Sequence, residues 1–474
     1  MSARYITTTL PYVNAAPHVG HALEFVEADC YKRACVLAGE EAFLNIGTDE
    51  HGAKIAEKAS EAGLTPQAYV DEYAARFKAF ADTLNISYDA FTRTTNSTHI
   101  ASAQEFWNRC DDKGDIYKAA YEVKYCVGCE LEKTDSELVD GKCPLHPNHE
   151  IEIRTEENYY FKFSRYEQAL LDLYEKNETF VLPKERLHEI RTFVKNGLKD
   201  FSISRRKEKL SWGIPVPGDD EHVMYVWFDA LVNYISVIGW PTDEATFAKW
   251  WPVTQLAGKD NLRQQSAMWQ AMLLSAGVAP SAQIFIHGFI TSGGQKMSKS
   301  LGNVIDPMAL VEKYGTDAVR YILLRHVSPF EDSDLTPSAI HDHYTAHLTN
   351  GLGNLVARVM KLAETHLSEP IERPADSPFP QEYWDLLHAF EFNRVADYIW
   401  GRIQDLDERI TREEPFKVVK TDLEKGRALI REMVTELYQI GRLLNPFMPA
   451  TNELIKQTIL ENKKPENLFS RLDA

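Results

Sequence analysis

Residues 4–52 read RYITTTLPYVNAAPHVGHALEFVEADCYKRACVLAGEEAFLNIGTDEHG, and the texture of this stretch decides the fold. Tyr5–Leu10 is β-rich, and Pro11 to His21 is a run of turn and small residues. Ala22–Ala38 then places Leu23, Val26, Cys30, Ala34 and Leu37 at helical spacing, with Gly39 where a helix would stop. A short apolar run, Ala42–Ile46, follows and closes on GTDEHG. Strand, loop, helix and second strand in that order predict a βαβ unit, hence a parallel sheet that receives ligands at the carboxyl ends of its strands.

Working outward, charged helical sequence continues to about residue 115, where YKAAYEVKYCVGCE brings aromatics, short strand-like runs and clustered cysteines. Strand signals return in HVMYVWFDALVNYI (222–235) and QIFIHGFI (283–290). Beyond Pro337 long amphipathic segments dominate, Leu352–Leu367 and Leu423–Leu444 among them, with a Pro-rich connection at Glu369–Pro380. The expected organisation is an α/β protein: a Rossmann-like catalytic domain split into residues 1–115 and 223–336, an inserted domain at 116–222, and an all-helical domain at 337–474.

Composition limits the function. The chain has 474 residues, 44% apolar and 26% charged, which suits a globular protein and excludes disorder or a disulfide scaffold. No stretch approaches the roughly 20 apolar residues of a membrane span, and MSARYITTTLPYV lacks the zones of a signal peptide, so a cytoplasmic enzyme without a membrane is expected. With 52 Lys and Arg against 70 Asp and Glu, the net charge of −18 disfavours a sequence-blind nucleic-acid coat. Any nucleic acid must meet a local basic face.

Three motifs carry chemistry. His18 and His21 flank Gly20 between the first strand and the first helix, where imidazoles and backbone N–H groups can converge on an anion; turn histidines or a metal half-site would look the same in isolation. Lys296 and Lys299 lie on a glycine-flanked loop after QIFIHGFI, an arrangement that suits a triphosphate and its leaving pyrophosphate, although a solvated basic turn is the commoner fate of such a pair. Cys126, Cys129, Cys143 and His146 form a C-x-x-C…C-x-x-H set, a donor group for one closed, structural Zn²⁺, with His149 a rival fourth ligand.

HVGH and KMSKSLGN, in this order around a βα frame, resemble the two signature motifs of class I aminoacyl-tRNA synthetases. TTTLPYVNAAPHVGHA, GTDEHG, WGIPVP, YVWFDALVNY, AGKD and KMSKSLGNVIDP together resemble the methionyl-tRNA synthetase family along nearly the whole chain. The resemblance implies activation of L-methionine by ATP, with Mg²⁺ on the phosphates, and transfer to the terminal ribose of tRNA(Met). It implies phosphate contacts from His18, His21, Lys296, Ser298 and Lys299, room for adenosine at Gly20, and ribose contacts at Gly258 and Asp260. Asp49 would take the amino-acid ammonium; Leu10, Tyr12, Trp227, Ala230, Leu231, Tyr234, Gln265 and Trp269 would line the same pocket. The resemblance favours His146 as the zinc ligand, and Asn354, Arg358 and Phe416 as anticodon readers.

Two departures stand out. Gln264 and Gln265 occupy places where the family often has an aromatic and a histidine, and Phe416 stands where it generally has a tryptophan. A monomer is expected, because the chain ends soon after its helices. Two rival readings remain: a class I synthetase for another apolar or sulfur amino acid, and a catalytically silent RNA-binding or zinc scaffold.

Overall fold

The structure, a computed structural model, describes residues 3–126, 131–133, 138–139, 141–144, 150–297, 303–375 and 378–473. Its centre is a six-stranded parallel sheet in the order Ala90–Arg93, Glu41–Thr48, Ala3–Thr7, Val253–Gly258, Gln283–His287, Val181–Leu182. The chain builds outward from Ala3–Thr7 in one direction, then returns to the other side of that strand at Val253–Gly258, where Tyr5 pairs with Val253 and Thr7 with Gln255. The order reverses between these two strands, so their carboxyl ends diverge and leave a crevice.

The helix that follows the first strand, Val19–Leu37, is as expected, and nearly all its inward positions are buried. It packs on the sheet together with the helix Thr316–His326 and the tail, and one apolar core runs from Ile6 and Leu44 through Tyr321 to Leu437 and Ile455. A second core covers the opposite face, joining Phe106, Phe161, Tyr174, Trp240 and Trp269. Tail helices Asn354–His366, Phe392–Glu413, Leu423–Leu444 and Pro449–Leu460 complete the helical region predicted beyond Pro337.

A buried ion pair fixes the junction of sheet, helix and tail. Arg320 and Asp29 are fully buried and 2.7 Å apart. Three further guanidinium N–H groups donate to the carbonyls of Leu84 (3.1 Å), Pro446 (2.8 Å) and Phe447 (3.0 Å). Asp29 also accepts from Arg33 Nε and from the N–H and hydroxyl of Ser87. Burial by itself would raise the Asp29 pKa, but Arg320 and Arg33 outweigh it and hold the carboxyl below its usual value.

Three expectations need correction. The stretch 116–222 is not wholly an insertion: Ile116–Cys126 and Ile151–Phe161 form an antiparallel pair outside the main sheet, but Val181–Leu182 joins Gln283–His287 as the sixth strand. So short a strand leaves no periodic pattern. HVMYVWFDALVNYI is not one strand either; the strand Asp219–Met224 gives way to short helices at Val226–Ala230 and Asn233–Ser236, and the parallel sheet resumes only at Val253. QIFIHGFI is interrupted after His287 and resumes at Ile290, and Gly288 between the two strands lies against the Glu331 backbone, where a Cβ would come within 2.3 Å of the carbonyl oxygen.

Arg320→Ala would leave Asp29 and three carbonyls without their partner in a dry core, a loss of about 3–5 kcal/mol. Thermal or urea denaturation checks this. Because the folded Asp29 pKa is depressed, its stabilisation is present above the unfolded carboxylate value and disappears as pH falls through the folded one.

Candidate active site

The crevice at the strand reversal holds a cavity of about 780 Å³. Its wall brings together Leu10, Tyr12, His18, Gly20, His21, Asp49, Trp227, Ala230, Leu231, Tyr234, Gly258, Asp260 and Gln265, residues scattered over most of the chain. On one lip, His18 caps the helix Val19–Leu37. Its Nδ1 accepts from the Gly20 N–H at 3.1 Å, while His21 Nδ1 accepts from the His18 N–H at 3.2 Å. The rings stack at 3.7 Å. An imidazole whose Nδ1 accepts carries its proton on Nε2, so both rings present N–H donors beside the positive end of the helix. Burial and the neighbouring His18 push the His21 pKa well below its usual value, which keeps this ring neutral. A Cβ at Gly20 would reach within 3.0 Å of the His18 ring, so glycine preserves the stack.

In the same cavity, Asp49 sits just past the end of the strand Glu41–Thr48, with only 8% of its surface exposed. Its Oδ1 is buried without a hydrogen-bond partner. Burial, and then the charge of Asp229, push the Asp49 pKa well above its usual value. Asp229 is differently placed: it lies against His51 Nδ1 (3.0 Å) and His99 Nε2 (3.4 Å), which overcome the burial penalty and hold its pKa down. The two carboxyls therefore divide their roles, one kept ionised and one short of a cation. Gly52 supports this wall, since at φ 119° a Cβ would fall 2.5 Å from the Tyr12 hydroxyl.

The glutamines resolve unequally. Gln265 Nε2 donates to the Tyr234 hydroxyl at 2.9 Å and its Oε1 accepts from Gln255 at 2.9 Å, so its polarity is consumed in the wall. Gln264 also lines the cavity, and its Oε1 is buried without a partner. Trp269 needs correction: it is fully buried and absent from the cavity wall, standing behind Tyr234 (6.0 Å between rings) and stacked on Phe106 (5.5 Å). Its apolar surface props the pocket instead of lining it. Trp227, by contrast, is 42% exposed at the rim.

Several cavity groups escaped the sequence reading. Glu24 accepts from the Thr9 N–H and hydroxyl and meets His287 Nε2 at 3.0 Å. Burial opposes the charge on His287, but the hydrogen bond to Glu24 and the charge of Glu27 prevail and raise its pKa to about 9. Arg205, Lys209 and Lys54 add positive charge around the cavity. Only the one-turn offset of Glu24 from His21 could have drawn attention to it.

The basic loop springs from a hairpin, Ile290–Ser292 with Gln295–Lys296, and Asp334 holds its turn by accepting from the Gly294 N–H at 2.8 Å. Ser298 and Lys299 lie outside the described residues, as do Cys129, His146 and His149. Cys126 ends its strand opposite Ile151, and Cys143 is buried. In the tail, Asn354 is exposed at the start of its helix, Arg358 is paired with Asp407, and Phe416 is 41% exposed. Asn354 and Asp407 share a cleft of about 550 Å³ with Arg325, His347 and Trp400.

Residues 4–150 and 146–360 match the family model described as tRNA synthetases class I (M). The chain belongs to this family. Methionine–tRNA ligase of Thermosynechococcus vestitus is 46% identical over 80% of this chain and 72% of its own, and that of Nostoc is 38% identical over 96% and 89%. Methionyl-tRNA synthetase of Mycobacterium tuberculosis, solved in complex with methionyl-adenylate, superposes with a TM-score of 0.87 at 35% identity, over 96% of this chain and 93% of that one. The class I crevice of this synthetase is thus the cavity between the first strand and Val253–Gly258. Among the described residues no helix is long and apolar enough to cross a membrane.

Asp49→Asn keeps the shape of this wall but removes the anion. For an amino-acid substrate whose ammonium docks on Asp49, the loss of a charge-assisted hydrogen bond of about 1.5–3 kcal/mol would raise KM by roughly 10- to 150-fold. Melting temperature should hold or rise, since a buried carboxyl beside Asp229 disappears. In the unsubstituted enzyme the same KM falls as pH climbs through the raised Asp49 value, and the variant loses that dependence.

Proposed function

We infer that this chain is a methionine–tRNA ligase, joining L-methionine to tRNA(Met) by way of methionyl-adenylate. The observation that carries the reading is the orphaned Asp49 Oδ1, set in the same cavity as the His18–His21 stack and the Gly258–Asp260 turn. An ammonium at Asp49 leaves the amino-acid carboxylate free to face the nucleotide side. There it attacks the α-phosphorus of ATP, and the bond to the departing pyrophosphate breaks. A ribose hydroxyl of tRNA then attacks the activated carbonyl and AMP leaves.

No residue of this wall serves as a covalent nucleophile. Positioning and preorganised dipoles supply the rate. The Nε2–H groups of His18 and His21 receive phosphate oxygens, Asp260 accepts ribose hydroxyls, and Lys296 and Lys299 hold the β and γ phosphates. Mg²⁺ bound with ATP offsets charge on the phosphate oxygens. The thioether rests among Leu10, Tyr12, Trp227, Ala230, Leu231 and Tyr234, whose aromatic rings each contribute roughly 0.3–1.5 kcal/mol to a sulfur contact. Arg205, Lys209 and Lys54 form the local basic face that an acidic chain needs for tRNA. Asn354, Arg358 and Phe416 read the anticodon, an amide and a guanidinium for base edges and an aromatic face for stacking.

Three thiolates and an imidazole from Cys126, Cys129, Cys143 and His146 suit one structural Zn²⁺, and the burial of Cys143 in a segment with little core of its own fits that donor set. The enzyme is read as a cytoplasmic monomer with domains at 1–115, 116–222, 223–336 and 337–474, the sheet strand Val181–Leu182 excepted.

Exchange between ATP and labelled pyrophosphate tests the reading. Methionine should stimulate it; stimulation by leucine, valine or cysteine, with none by methionine, would overturn it. Lys299→Ala should slow exchange far more than it weakens methionine binding. Cys126→Ser should release one equivalent of zinc and lower the melting temperature, both read on the purified protein.

A further inference from the structure

Three histidines outside the nucleotide crevice converge where the sheet domain meets the tail. His326 ends the helix Thr316–His326, and His343 and His347 lie one turn apart where Pro337–His343 runs on into Tyr344–Gly353. One ring nitrogen from each falls within 4.8 Å of the others, the only such group of metal-binding side chains among the described residues. His326 Nε2 and His347 Nδ1 are 3.3 Å apart. Tetrahedral ligands at zinc–nitrogen distances sit roughly 3.3–3.4 Å from one another, so this pair already has the required spacing. His343 stacks on His326 at 3.6 Å between ring centroids, so its ring must turn out of the stack for its nitrogen to face the same ion.

We propose that His326, His343 and His347 form a second metal site, for a borderline divalent transition ion of the Zn²⁺ type, which clamps the tail onto the sheet domain.

The surroundings suit ligation. The Tyr321 hydroxyl lies 2.8 Å from His347 Nδ1 and 3.0 Å from His326 Nε2, close enough to complete the coordination or to hold a water that does. The three rings are half-buried, and Arg325 is the cation that faces them. Its Nε, however, is bound to Asp397 at 3.0 Å and its plane lies over Trp400. Asp397 and Asp342 supply negative charge beside the cluster. All-nitrogen donors exclude Mg²⁺ and Ca²⁺, which take oxygen. The site also adjoins the Asn354 cleft, which His347 and Arg325 help to line.

The proposal is independent of the reaction assigned above, and metal content tests it without an activity assay. Tag-free full-length protein is stripped with chelator and titrated with Co²⁺, with bound metal counted after gel filtration and visible absorption recorded. Two equivalents are expected, one giving thiolate charge-transfer absorption and one giving only nitrogen-ligand bands. His343→Gln and His347→Gln should each bind one equivalent and keep the thiolate band, which also reports that the variant is folded. Cys126→Ser should lose the thiolate band alone. Saturation of the unsubstituted protein by its thiolate site only, or retention of both equivalents in the histidine variants, overturns the proposal. Should the histidine variants not fold, the presence or absence of a thiolate-free Co²⁺ spectrum in the unsubstituted protein still decides. A thiolate-free spectrum alone would support the histidine site and count against the knuckle.

Discussion

The buried contact between Arg320 and Asp29 constrains everything around it. Neither charge can be left alone in a dry interior, so the helix that opens the nucleotide crevice, the helix that leads out of the sheet domain and the carbonyls at Pro446 and Phe447 must arrive together. Asp29 adds the Ser87 segment, which follows the helix Pro66–Thr83. A buried ion pair is often no more stabilising than an apolar contact of the same shape, so its net attraction is not the main point. With its donors and acceptors occupied, it selects one relative arrangement of the sheet and the tail.

That arrangement turns a reversal of strand order into a working crevice. The histidine lip is set by helix capping, whereas Asp49 is set by the end of a strand, and the electrostatics of the two differ accordingly. The lip offers neutral donors. The strand end holds a carboxyl that burial and Asp229 discourage from ionising until a cation arrives, while His51 and His99 keep Asp229 itself charged. An ammonium bound at Asp49, as proposed above, would satisfy a deficit already present in the protein.

Much of this was legible from the residues alone. The helix Val19–Leu37, the strand closing on Asp49 and the helix Leu423–Leu444 follow from periodicity and stop signals. The central strand Val253–Gly258 was not legible, because VTQLAG interrupts its apolar residues with Thr254 and Gln255. Both are buried, and Gln255 is accommodated by Gln265 and Ser281, which are near it only in the folded chain. Trp269 illustrates the same limit: sequence can place an aromatic near a pocket but cannot say whether it faces the ligand or the core. Glu24 helps to raise the pKa of His287 through a contact of 3.0 Å in the cavity wall, and neither has a motif of its own.

The locked ring orientation of His18 and His21 has a consequence for how an anion is held. With each Nδ1 accepting from a main-chain amide, both rings turn their Nε2 edge outward in a fixed direction. On the function proposed above, this lip would hold a phosphate by direction more than by charge, leaving the positive charge of the crevice to Arg205, Lys209 and Lys54.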